Sequence, residues 1–354
     1  MLNFAVGPVL SEESILKVGS QQLPYFRTEE FSEINRENEK LFLELVEAPE
    51  GSKAIFITGS GTASMEAAVI NVFNENDKLL IVNGGGFGRR FCEICSVHNI
   101  PYDEIVLDAG KTLTKEKLEE YPGDKYTGLL VNMNETSTGV LYDVEMIGEY
   151  CKKYALILVV DAVSAFLADE LCMEKWGIDL VFTGSQKALA LPPGLSIMAM
   201  SPRTVKRVCE KETRSFYFNL KEYLKDGERG QTPFTPAVGI ILQLNLRLRQ
   251  IQEKGIQKER ERIKSIADDF RIRIKDMPLQ IFSDSLSNAV TPLQPLNGMS
   301  AHYIFEKMKK EFDIYVCPNG GELSDKVFRV GHIGNLKIDD NIKLVNALKT
   351  VMGV

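Results

Sequence analysis

The chain reads as an α/β protein, with a mainly parallel sheet in a three-layer α/β/α large domain and a smaller α+β domain after it. Three observations predict this. Between residues 53 and 200, short and nearly continuous Val/Ile/Leu runs alternate with helical segments, as expected of parallel strands buried on both faces. Near residue 236 the character changes to long, heavily charged helices broken at Gly255. From about residue 278 onwards, shorter mixed segments describe a second unit. The expected divisions are an N-terminal segment over 1–20, a large domain over 21–245, and a connecting helix with the small domain over 246–354.

The predicted strands are KAIFIT (53–58), KLLIVN (78–83), GLLVN (128–132), LILVVD (156–161), DLVFT (179–183) and LSIMAM (195–200). Between them, ASMEAAVINVF (63–73), RRFCEICSVHN (89–99) and VEMIGEYCKKY (144–154) carry apolar residues at helical spacing. The stretch KERERIKSIADDFRIRIKDM (258–277) spaces its apolar residues among many charges, and reads as a solvated connecting helix.

Composition narrows the function. The 354 residues carry a net charge of −7, which argues against nucleic acid or an anionic membrane as the main partner. No apolar run reaches the ~18 residues of a membrane span. MLNFAVGPVL lacks the basic start and long apolar stretch of a signal peptide. The six scattered cysteines suit reduced thiols in a cytoplasmic protein. Cys92 and Cys95 form one CxxC in a helical segment, without the second pair a zinc site needs. The three histidines lie far apart, so no metal site is expected.

In open α/β sheets, ligands bind beyond the carboxyl ends of the strands, and the unusual residues gather there. Asp161 ends one apolar strand, and Lys187 follows it by 26 residues at the end of the next. A carboxylate and an amine so placed can address opposite ends of one flat heterocycle, as pyridoxal phosphate requires. After the first strand, Thr58-Gly59-Ser60-Gly61-Thr62 runs into a helix. Free N–H groups there suit a phosphate, and the hydroxyls of Ser60 and Thr62 add donors; a tight strand–helix turn uses the same residues. Gly84-Gly85-Gly86-Phe87-Gly88 places an aromatic ring among glycines, without a helix face, where it can lie on a planar ligand or anchor the loop. Asn134-Glu135-Thr136-Ser137-Thr138-Gly139 supplies short hydroxyls, which suit a ligand oxygen or a capped loop. Arg329 stands among apolar residues in KVFRVGHIG. Buried arginine requires a partner: a bound carboxylate, an internal acid or water.

A dinucleotide-binding oxidoreductase is the competing reading of the first glycines. Ser64 falls where a third glycine is expected, and Asp77 precedes the second strand instead of ending it.

From Gly7-Pro8 through GSGTASMEA (59–67), NGGGFG (83–88), ETSTGV (135–140), VDAVSA (160–165), GSQKAL (184–189) and PPG (192–194) to FRVGHIG (328–334), the chain resembles the class V aminotransferases. These are fold type I pyridoxal-phosphate enzymes that include alanine–glyoxylate and serine–pyruvate transaminases. The resemblance implies that Lys187 forms the Schiff base, Asp161 pairs with the pyridinium nitrogen, Phe87 stacks on the ring and Val163 packs on its other face. It further implies that Ser60, Gly61, Thr62 and Gln186 hold the phosphate, that Thr136 lies near the phenolic oxygen, and that Arg329 takes the substrate carboxylate. The loop Gln231–Pro236 resembles a segment that reaches a neighbouring subunit's phosphate through Thr235, which implies a homodimer with sites at its interface.

The implied substrates are a small amino acid or aminophosphonate donor and a 2-oxo acid acceptor. GSGTASMEA and Asp161-Ala162 lean towards 2-aminoethylphosphonate–pyruvate transaminases, whereas GSQKAL and PPG lean towards the alanine–glyoxylate branch. A C–S lyase or desulfurase is less similar. Such enzymes have histidines at the positions of Gln186 and Phe87, and Cys317 is the nearest candidate for their catalytic cysteine. Arg27, in LPYFRTEEF, reads as a surface arginine, with substrate contact as the alternative.

Overall fold

The computed structural model describes residues 1–354. Seven strands form the central sheet: β1 (Lys53–Thr58), β2 (Leu79–Asn83), β3 (Tyr102–Val106), β4 (Gly128–Asn132), β5 (Ile157–Asp161), β6 (Leu180–Gly184) and β7 (Leu195–Met200). Their order across the sheet is β1-β7-β6-β5-β4-β2-β3. β7 runs antiparallel to both neighbours and every other pairing is parallel. The carboxyl ends of the other six strands therefore share one edge.

The sequence reading misses β3. Only Ile105 of its five residues is buried, because an edge strand covered on one side needs no continuous apolar run. Elsewhere the side-chain period of two divides the sheet between two cores. Leu158 and Val160 of β5 join one core while Ile157 and Val159 join the other; Leu80 and Val82 part from Leu79 and Ile81 in β2 in the same way. Helices Gly61–Val72 and Gly86–Val97 cover one face, and Glu29–Leu45, Val144–Tyr154 and Val238–Lys254 cover the other.

A three-stranded antiparallel sheet, Leu279–Ile281, Val290–Pro295 and Phe328–Gly331, packs with helices Ala301–Phe312 and Ile338–Met352 around a separate core. Helix Ile256–Arg273 is not the solvated connector expected. It buries Glu259, Ile263, Ile266, Ala267 and Phe270. Ile263 enters the larger core, while Ile266 and Phe270 enter the smaller one. Gly255, at φ +87°, separates this helix from Val238–Lys254, a backbone state that glycine adopts without a Cβ clash.

The first residues join the C-terminal unit. Leu2–Asn3 pairs in parallel with Ile314–Tyr315, and the Gly331 N–H donates to the Phe4 carbonyl at 2.6 Å. The segment then crosses to the large sheet, where the Val9 N–H donates to the Gln186 carbonyl at 3.3 Å. No helix is long and apolar enough to cross a membrane.

Candidate active site

At the carboxyl edge of the sheet lies a cavity of about 330 Å³. Ser60, Gly61 and Thr62 line it from β1; Phe87 from β2; Thr136 from β4; Asp161 and Val163 from β5; Gln186 and Lys187 from β6. All the residues expected to hold the cofactor thus converge, except Thr235, which is exposed and does not line this cavity.

Two helices begin at this cavity, and they differ. Ser60 caps Gly61–Val72 in extended conformation without a side-chain hydrogen bond to its first turn, leaving the positive end of the helix open to an anion. A Cβ at Gly61 would lie 2.8 Å from Val163 Cγ2, so only glycine allows this close approach of helix start to β5. The helix Gly86–Val97 is already capped by a buried anion. Glu135 Oε2 accepts from the N–H groups of Phe87 at 3.1 Å and Gly88 at 3.0 Å, and from Asn132 Nδ2 at 3.0 Å. Its Oε1 accepts from Ser137 N and Oγ, at 3.2 and 2.5 Å.

Phe87 belongs to that helix and not to a free loop, which corrects the sequence reading. The glycines start the helix, and its second residue presents the ring to the cavity. The Arg90 guanidinium lies 4.8 Å from the Phe87 ring centroid and donates to Thr62 Oγ1 at 3.1 Å. Arg90 thereby ties the two helix starts together.

Asp161 is buried at the end of β5, and its Oδ1 accepts from the Val163 N–H at 2.8 Å. Burial pushes its carboxyl up to about 7, against the opposing pull of that N–H and of Lys187. Burial also holds Lys187 down at about 8; the positive charge of Arg329 adds to this, while Cys317 and Asp161 oppose it. A Cβ at Gly7 would lie 2.7 Å from Lys187 Cδ, so the N-terminal segment closes over the stem of the lysine. Behind Lys187, the turn is fixed by Ala190 N to Lys187 O at 2.8 Å. Arg247 Nε donates to the Leu189 carbonyl at 3.2 Å, and its NH2 pairs with Glu259 Oε1 at 2.5 Å.

Arg329 does not line the cavity, and backbone carbonyls, not an acidic side chain, hold it. It donates to the carbonyls of Thr136 at 2.9 Å and Pro318 at 2.5 Å. Backbone oxygens carry enough partial charge to hold a guanidinium and leave no sequence signal. Nε keeps no partner. Arg27 is neither a free surface arginine nor a cavity residue. It grips the loop Gln231–Pro236 through Gln231 Oε1 at 3.1 Å and the Thr232 and Pro233 carbonyls at 2.8 and 3.3 Å.

Sequence reasoning missed Arg90, Asn134, Ser164, Met65, Gly7, Pro8 and Pro193, which also line the cavity. Asn134 had a usable signal, because it follows the carboxyl end of β4, the edge at which such sheets bind ligands. Ser164 is found only through the fold, where its Oγ lies 2.6 Å from Thr136 Oγ1.

Comparison with known proteins agrees with this architecture. A family model described as aminotransferase class-V matches residues 20–322. A protein of Synechococcus named soluble hydrogenase, small subunit, is 31% identical over 85% of this chain and 80% of its own. L-aspartate–glyoxylate aminotransferase of Paracoccus denitrificans is 28% identical over 80% of this chain and 74% of its own. The crystal structure of alanine–glyoxylate aminotransferase from Nostoc superposes with a TM-score of 0.93 at 25% identity, covering 99% of this chain and 94% of that one. With the family model spanning most of its length and the fold shared end to end, the protein belongs to the class V aminotransferases, enzymes that move an amino group to a 2-oxo acid.

Proposed function

We propose that this chain is a pyridoxal-phosphate-dependent transaminase of the alanine–glyoxylate or serine–pyruvate type, acting in the cytoplasm as a homodimer. One observation carries the reading: Lys187 and Asp161, from adjoining strand ends, face one cavity that has a single uncapped helix N-terminus. The polar lining fits the cofactor, since Gln186 Oε1 is buried without a partner and the first turn of Gly61–Val72 offers N–H donors to a phosphate.

When bound, pyridoxal phosphate supplies an electron-withdrawing ring that stabilises negative charge at the substrate α-carbon. Lys187 would carry it covalently. A lysine held near 8 loses its proton far more readily than an ordinary lysine, so Lys187 can act as nucleophile and, once released, as the base that moves the α-proton. Asp161 would accept the ring N–H, and that positive charge would favour its carboxylate over its acid form. Ser60, Gly61, Thr62 and Gln186 would hold the phosphate, Thr136 would face the phenolic oxygen, and Phe87 and Val163 would bracket the ring. Arg329, its plane fixed by the two carbonyls, would take the substrate carboxylate and orient the scissile C–H bond. Thr235 would complete a partner's phosphate site. The relatives named above support an amino-acid donor and glyoxylate-like acceptor; GSGTASMEA and Asp161-Ala162 favour 2-aminoethylphosphonate as the second reading.

Borohydride reduction of the cofactor-loaded protein, followed by peptide mapping, should fix the cofactor on Lys187. A label on another lysine refutes the assignment. A donor panel with alanine, serine, aspartate and 2-aminoethylphosphonate then separates the two substrate readings.

A further inference from the structure

A second, smaller cavity lies where the helix Glu29–Leu45 meets β1, the edge strand of the central sheet. It shares no residue with the cavity around Lys187. Asn35 and Glu39 both line it, one turn apart on one face of the helix. Asn35 is 5% exposed, and its Nδ2 donates to the Gly230 carbonyl at 2.9 Å. A carbonyl only accepts, so Oδ1 is the atom left over, buried without a partner. Buried acceptors are almost always paired, and an unpaired one is destabilising. Glu39 Oε1 accepts from the Ala54 N–H at 3.0 Å, yet burial still pushes the carboxyl up against that bond and the pull of Lys53. The N–H and C=O of one strand residue point to the same side, so the Ala54 carbonyl shares this free edge with Glu39.

We propose that this cavity binds one monovalent cation, sodium or potassium, through Asn35 Oδ1, the Glu39 carboxylate and the Ala54 carbonyl. Hard cations take carboxylate, amide and backbone oxygens together, and one carboxylate among neutral oxygens balances a single positive charge. The cavity volume is about 20 Å³, room for one ion or one water, which needs about 10–15 Å³. A neutral water would satisfy the amide oxygen, but only a cation also offsets the charge of Glu39. Gly230, Gln231 and Thr232 form the facing wall, at the start of the loop that Arg27 also grips. The ion would therefore join the helix, the edge strand and this loop at one point.

The test melts the purified protein in sodium chloride, potassium chloride and tetramethylammonium chloride at one ionic strength, the last cation being too large for the cavity. One alkali salt should raise the melting temperature by roughly 2–4 °C over tetramethylammonium, and the rise should saturate with concentration. Glu39→Gln keeps the side-chain shape without the charge and should lose that rise. Crystals soaked in thallium(I), which substitutes for alkali ions, should show anomalous density between Asn35 and Glu39, a measurement that needs no variant. Equal melting in the three salts overturns the proposal and leaves the cavity to a bridging water. A rise kept in full by Glu39→Gln places the ion elsewhere and overturns it too. Should Glu39→Gln fail to fold, the thallium position decides: density between Asn35 and Glu39 upholds the site, and its absence there overturns it.

Discussion

Asp161 shows at the scale of one residue how a site is held ready at a cost to stability. Its acid form is favoured in the folded, ligand-free protein, with a pKa of about 7 against the usual 3.8. The folded state therefore binds this proton more tightly than the unfolded chain, and stability falls as pH rises from about 4 to about 7. The displacement corresponds to roughly 4 kcal/mol once the carboxyl is ionised. Ligand-free Asp161→Asn should therefore melt above wild type at about pH 8, and the gap should narrow as pH falls toward 5. Thermal melts across that range check this; a gap that is constant or widens on acidification would remove burial of the charge as its cause. Lys187, Asp161 and the Ser60–Thr62 turn were legible in the sequence because strand ends mark the ligand edge of such sheets. The partners of Arg329 and Arg27 were not, because both arginines are held largely by backbone carbonyls, which any residue supplies.

Among the elements, the helices on either side of Gly255 are joined by a buried ion pair. Arg247 of Val238–Lys254 and Glu259 of Ile256–Arg273 are nearly inaccessible, and Arg262 binds the same carboxylate while donating to the Leu336 carbonyl at 3.2 Å. The network runs from the turn behind Lys187 to the C-terminal unit. Breaking it from one side leaves a buried unpaired charge, so Glu259→Ala should lose about 3–5 kcal/mol of stability. The paired replacement Arg247→Met with Glu259→Leu should recover most of that stability, yet still free the Leu189 carbonyl. We expect its kcat to fall about ten-fold with KM little changed, through looser placement of Lys187. Denaturant melts with steady-state kinetics decide; full activity in the stable double variant would confine the pair to folding. Strands with continuous apolar runs were readable in advance. β3 was not, because its pattern depends on being an edge, and the buried stripe of Ile256–Arg273 was not, because charges interrupt it.

Across the whole molecule, the motif order from Gly7-Pro8 to FRVGHIG made the fold legible, since no single motif specifies it. The resemblance of the loop Gln231–Pro236 implies that Thr235 serves a neighbouring subunit's site. Thr235 is exposed on a loop that Arg27 fixes in place. If that loop serves a second subunit, an inactive Lys187→Ala chain mixed with an inactive Thr235→Ala chain should regain activity in hybrids, each with one intact site. Subunit exchange followed by mass spectrometry and assay measures it, and exchange without recovery would place Thr235 outside the shared site. The N-terminal segment carries a different consequence. Leu2–Asn3 finds its strand partner at Ile314–Tyr315, roughly three hundred residues further along, and Gly7 packs on Lys187. Closure over so long an interval comes late, because its entropy must be overcome before the contact rewards it. During synthesis the ribosome releases the lysine turn well before residues 314–315, so the outermost residues of the covering segment are the last to find their strand partner. The cover of the reactive amine is anchored at both of its ends only in a chain whose C-terminal unit has been made and folded.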